Sequence, residues 1–115
     1  MAEGEADGCI IAVARFSDDL DFAARERWQP TLTSLRDADI AIIDISAVTY
    51  ADSTFMSAVV RLYKHFDQRG TPFAIRIVGA AAQLRRVFEL TQLDRYIEFW
   101  YSLDDAKSAG IVTKP

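Results

Sequence analysis

Carboxyl and hydroxyl groups that could do chemistry crowd into two short stretches of this chain. Asp52-Ser53-Thr54 stands between an apolar run and a long amphipathic segment, and Ser17-Asp18-Asp19-Leu20-Asp21 follows an earlier apolar run. Asp, Ser and Thr accept hydrogen bonds from the free N–H groups at a helix start, which gives the triplet a capping role. A hydroxyl there is also exposed, and a phosphate placed on it meets the positive end of the helix dipole, which gives a phosphoacceptor role. The two roles are compatible if Asp52 or Ser53 caps and Thr54 stays free.

Other chemistries lack their residues. His65 is the only histidine, and it falls on the polar face of a helix. No nucleophile elbow, phosphate-cradling glycine loop or dinucleotide turn is present, so an enzyme is not expected. No cluster has metal-ligand spacing, and neither metal nor cofactor is expected. Cys9 is the single cysteine, which excludes an internal disulfide and points to a reducing, cytoplasmic compartment. The net charge is −4 and the densest basic pair is Arg85-Arg86, so nucleic acid has no electrostatic footprint here. Residues 1–8 are acidic with no basic leader, and no apolar run approaches the roughly 20 residues that span a bilayer.

The elements that must hold these groups alternate between strand and helix. A chain of 115 residues builds one domain. Residues 1–8 read as a flexible leader, 9–110 as the domain and 111–115 as a flexible tail. Cys9–Phe16 is short and β-branched, as a strand should be. Phe22 to Arg36 reads as helical, either kinked or split at Pro30, with Leu32 and Leu35 facing inward. Ile40–Ile45 is continuously apolar, the pattern of a strand buried on both faces. A long helix runs from Ser53 to Arg69, with Met56, Val59, Val60, Tyr63 and Phe66 on one face, Arg61, Lys64, His65 and Gln68 on the other, and Gly70 as its stop. Pro72–Val78 reads as a strand and 80–90 as a helix with Leu84, Val87, Phe88 and Leu90 inward. Tyr96–Trp100 reads as a short strand and Leu103–Ala109 as a last helix. The alternation predicts an α/β fold: a central mixed sheet of four to five strands covered by about four helices.

The run from Ile42 to Thr54, an apolar strand, Asp44-Ile-Ser46, a short loop and then Asp52-Ser53-Thr54, resembles the signature of STAS domains, the sulfate-transporter and anti-sigma-factor-antagonist family. Ser17–Asp21 looks like the family's Gly-Glu-Leu-Asp turn. Gly70 fits its glycine after the second helix, Val78–Leu93 resembles its third helix and closing Thr-Gly-Leu, and Ser102–Ala106 matches its final helix. Three positions depart from the pattern: Phe55 replaces the glycine after the phosphoacceptor, Asp18 that of the first turn, and Gln92 that of Thr-Gly-Leu.

The resemblance implies an anti-sigma factor antagonist. Such a protein binds an anti-sigma factor that is also a serine/threonine kinase, and so releases a sigma factor. It would be switched off by phosphorylation at Thr54, with a phosphatase reversing the mark. Asp52 would orient the site and Ser53 would lie beside it. Asp18, Asp19, Phe55 and Arg61 complete the expected partner surface, on a monomer or weak dimer. A second implication keeps the fold: an accessory subunit of a lipid-transport ATPase, or a scaffold module that docks constitutively through the helix face near Thr54 with Phe55 and Arg61; the Phe55 ring itself either packs inward as a core residue or stands exposed as an anchor for a partner. A phospho-aspartate receiver would use Asp18-Asp19 and Asp44 but needs a lysine after a late strand, and Lys64, Lys107 and Lys114 fall elsewhere.

Overall fold

The computed structural model describes residues 2–6, as backbone, and residues 9–111. Five strands form one sheet: β1 (Ala2–Ala6), β2 (Cys9–Arg15), β3 (Ile40–Asp44), β4 (Ala74–Val78) and β5 (Glu98–Trp100). Their order across the sheet is their order along the chain. β1 runs antiparallel to β2, and the remaining neighbours are parallel, which makes the sheet mixed. Among the described residues, α1 (Arg25–Thr33), α2 (Ser53–Gln68) and α3 (Ala82–Leu90) connect the parallel strands and α4 (Leu103–Ser108) follows β5, with short 3-10 turns after α1 and α3.

Period-two alternation assigns the two faces of the sheet. Ala12, Ala14, Ala41, Ile43, Ile75 and Ile77 point into the large core beneath α1, α2 and α3. Ile11, Val13, Ile40, Ile42 and Val78 point to the other face, where Ala106 of α4 covers them. Both faces are buried, which explains why β3 reads as an unbroken apolar run.

Several expectations need correction. No strand was expected before Cys9, yet Ala2–Ala6 pairs with β2. Its small and acidic residues carry little strand propensity, and backbone pairing on the open edge of β2 forms it instead. The C-terminal expectation falls largely on 112–115, outside the described residues, but Ile111 packs against the second core. Leu90 is 71% exposed rather than inward, because α3 ends there. On α2, Phe55, Ala58 and Leu62 are buried, whereas Val60 and Tyr63 only flank the core. α1 continues through Pro30 and becomes a 3-10 turn at Ser34. Gln92, where the family has glycine, holds a left-handed backbone with φ of 62°. That conformation costs a residue with a side chain about 1–2 kcal/mol relative to glycine.

Candidate functional site at the start of helix α2

Two loops leave the carboxyl ends of neighbouring parallel strands, the edge where α/β sheets meet ligands and partners. One follows β2 and carries Ser17–Asp21. The other follows β3 and ends at Asp52. They are zipped together: Leu20 N–H donates to the Tyr50 carbonyl (2.9 Å), and Asp52 N–H donates to the Leu20 carbonyl (3.1 Å). Leu20 is fully buried and anchors its loop in the core.

Asp52 fastens this junction. It is the N-cap of α2 in extended conformation. Its Oδ1 accepts from Thr54 N–H (2.9 Å) and more weakly from Phe55 N–H (3.4 Å), while Oδ2 accepts from Phe22 N–H across the junction (3.0 Å). One carboxylate therefore caps α2 and ties down the loop that leads into α1. Asp21 acts similarly on α1: its Oδ1 accepts from Ala24 N–H (2.8 Å), and its carbonyl accepts from Trp28 Nε1 (2.9 Å). Asp52→Ala is expected to lower stability by about 1–2 kcal/mol and to speed amide exchange at Phe22 as well as Thr54. Asp52→Asn keeps one acceptor for the cap and should lose less. Unchanged exchange at Phe22 in the alanine variant would contradict the shared role.

The predicted site residues separate into three groups. Ser53 is exposed, Thr54 and Asp52 are half-buried, and all three lie at the junction. Asp18 and Asp19 are exposed on the adjoining loop. Asp18 sits 3.5 Å from Arg27, with both side chains mostly in water, so the pair adds little stability. Arg61 lies two turns along α2 and faces a cleft against α1, away from the junction. Phe55 is a correction: it is fully buried, 5.3 Å from the Trp28 ring and 6.0 Å from the Phe16 ring, both edge-on. It cannot touch a partner, because its ring fills the space between α2, α1 and the end of β2.

Two exposed aromatics at the junction escaped the sequence reading. Phe22 is 61% exposed, with the Arg25 guanidinium 4.6 Å above its ring, and Tyr50 is 53% exposed. Their signal was present: each is a large aromatic inside a polar loop segment. Farther along α2, the Tyr63 phenol is pushed above its ordinary pKa of 10.0, first by burial and then by Asp67 and Tyr96. It packs among Phe73 and Tyr96 and plays no part at the junction. Among the described residues, no group of three or more His, Cys, Asp or Glu could hold a metal ion. No helix there is long and apolar enough to cross a membrane.

The family model for the STAS domain matches residues 5–106. The chain belongs to the STAS domain family. No curated protein sequence matches it significantly. Among solved structures, this STAS domain is similar to an anti-sigma factor antagonist from Mycobacterium paratuberculosis, with 23% identity, 92% of this chain and 87% of that one covered, and a TM-score of 0.74. The STAS domain of a SulP transporter from Vibrio cholerae matches at 20% identity over 85% of this chain and 78% of that one, with a TM-score of 0.62. The phosphorylated form of the Bacillus cell fate determinant SpoIIAA matches at 15% identity over 84% and 86%, with a TM-score of 0.61. At these identities the likeness establishes a shared fold.

Proposed function

We propose that this STAS domain is a protein-binding switch of the anti-sigma factor antagonist type, working in the cytoplasm, whose partner docks on the α2 junction and is released when the first turn of α2 is phosphorylated. The observation that carries this reading is an exposed hydroxyl on a helix start whose cap is already occupied. Asp52 engages the N–H groups of Thr54 and Phe55, so the neighbouring hydroxyls are not needed to hold the helix. A kinase must reach its acceptor from solvent. Ser53 is exposed and Thr54 half-buried, so exposure favours Ser53 over the Thr54 that the family resemblance suggested.

The same geometry supports the direction of the switch. A phosphate adds about 1.5–2 negative charges. Asp52 already occupies two of the donors that would otherwise cradle it. Repulsion from the Asp52 carboxylate at roughly 6 Å is about 0.7–3 kcal/mol per unit charge between watery and protein-like dielectrics. The phosphate would therefore project toward the partner, at a junction whose adjoining loop already carries the exposed Asp18 and Asp19. A net loss of about 3 kcal/mol is roughly a hundredfold in affinity and requires no refolding. Phe22 and Tyr50 supply the aromatic anchors that interfaces favour. With Phe55 buried, constitutive docking through that side chain loses its motivating residue.

The test is phosphorylation by an anti-sigma factor kinase with ATP, followed by site mapping with mass spectrometry. Phosphate on Ser53, its loss in Ser53→Ala, its removal by a cognate phosphatase, and at least tenfold weaker kinase binding by Ser53→Glu are expected. Phosphate on Thr54 instead would restore the acceptor suggested by family resemblance. No phosphate on either hydroxyl, or undiminished binding by both glutamate variants, would overturn the reading.

A further inference from the structure

Between α1 with its 3-10 turn and the middle of α2 lies a cleft of about 260 Å³, lined by Gln29, Thr33, Arg36, Arg61 and His65 over a floor that includes Leu32 and Leu62. Its lining contains no acidic residue, although the protein carries a net charge of −4. The geometry points to a binding site for a small phosphate-bearing anion, held between Arg36 and Arg61.

Arg36 is aimed without being neutralised. Its Nη2 donates to His65 Nδ1 at 3.2 Å, and His65 Nε2 lies 3.1 Å from the Arg36 carbonyl. A guanidinium can only donate, so Nδ1 is the acceptor, and the ring is neutral with its proton on Nε2, donated to that carbonyl. The Arg36 side chain is thus oriented by an uncharged partner and keeps its full charge and its remaining N–H donors. Among the described residues it has no carboxylate partner. Arg61, one helical turn before His65, is exposed and makes no hydrogen bond or ion pair with any described residue. Four other arginines do meet carboxylates: Arg27 pairs with Asp18, Arg69 with Asp39, Arg76 with Glu98 and Arg85 with Glu89. Two unpaired guanidiniums bordering one cleft are the fork-shaped receptors that suit phosphate oxygens, and Gln29 and Thr33 add neutral donors.

The volume sets the ligand class. It falls just below the range of about 300–1,000 Å³ usual for small-molecule pockets. That is room for inorganic phosphate or the phosphate group of a small monoester. The site is separate from the phosphoacceptor turn: Ser53 lies about 12 Å of helical rise from Arg61.

Titration of the isotope-labelled protein with inorganic phosphate and, separately, glycerol 3-phosphate, followed by NMR, tests the assignment. Saturable shifts confined to residues 29–36 and 58–65 are expected. Arg61→Gln, which breaks no hydrogen bond or ion pair among the described residues, should weaken binding at least tenfold, and Arg36→Gln should do the same. Ser53→Glu should leave the affinity unchanged, so this site can stand whatever becomes of the phosphorylation reading. Saturation by glycerol 3-phosphate at lower concentration than by phosphate identifies an ester as the ligand, and the reverse order identifies free phosphate. Non-saturating shifts, or saturation that survives in Arg61→Gln, would overturn the site.

Discussion

Phe55→Ala is expected to destabilise the domain by about 3–5 kcal/mol, the cost of emptying a fully buried aromatic position. The side chain has no solvent exposure and meets Phe16 and Trp28 edge-on. Its removal opens a cavity where three elements join, and neither β2 nor the capped start of α2 can move in to fill it. Phe55→Gly, which restores the residue the family places there, should be worse by about 1 kcal/mol, because glycine also loosens the first turn of a helix. Urea unfolding measures both. The loss expected for the alanine variant lowers the midpoint by roughly 1–5 M for an m-value of about 1–3 kcal/mol/M. A midpoint lowered by less than a third of that amount would mean that the pocket collapses around the smaller side chain. Any fall in partner affinity for these variants has to be separated from this loss of folded protein.

The second large effect lies on the opposite face of the sheet. Arg76 sits in the middle of β4 and is 1% exposed. Its Nε donates to Glu98 Oε1 at 2.9 Å, its Nη1 to the Ala106 carbonyl at 2.8 Å and also to the Ala109 carbonyl, and its Nη2 to the Gly110 carbonyl at 2.7 Å. The Trp100 ring lies 5.0 Å from the guanidinium carbon. One side chain thus gathers carbonyls in and just beyond the last turn of α4, that of Ala106 buried and those of Ala109 and Gly110 partly so. Arg76→Met keeps the volume but strands those carbonyls at roughly 1–3 kcal/mol for each that water cannot reach. A total loss of about 3–5 kcal/mol is expected. Arg76→Lys should fall between, since an ammonium cannot span the same fan of acceptors. Chemical denaturation gives the total, and faster amide exchange in α4 localises it. An unchanged midpoint would show that α4 is held by its apolar contacts alone.

These two residues mark where the sequence was legible and where it was not. Strand and helix alternation, the buried character of β3 and the extent of α2 followed from hydrophobic periodicity, which responds directly to burial. Asp52 was legible as a cap because Asp-Ser-Thr before an amphipathic run satisfies a local need of the backbone. Phe55 was harder to place. The family pattern puts glycine there, and periodicity alone did not separate an inward ring from an exposed anchor at a helix start. Arg76 went unread because a charge inside an apolar strand has meaning only through carbonyls some 30 residues later. The cleft at Arg36 and Arg61 depends on two helices meeting, which no local pattern encodes. β1 was missed because its pairing rests on backbone groups that every residue carries.

The sheet order has a consequence for the nascent chain. Because each parallel strand pairs with the strand before it, the layer bearing α1, α2 and α3 can be assembled in the order in which the ribosome delivers it. The underside behaves differently. Arg76 emerges long before Ala106, Ala109 and Gly110 exist to receive it, and Ile11, Val13, Ile40 and Ile42 await the same cover. Synthesis of the final helix is thus the step that withdraws a stranded cation and an oily surface from the reach of chaperones and proteases.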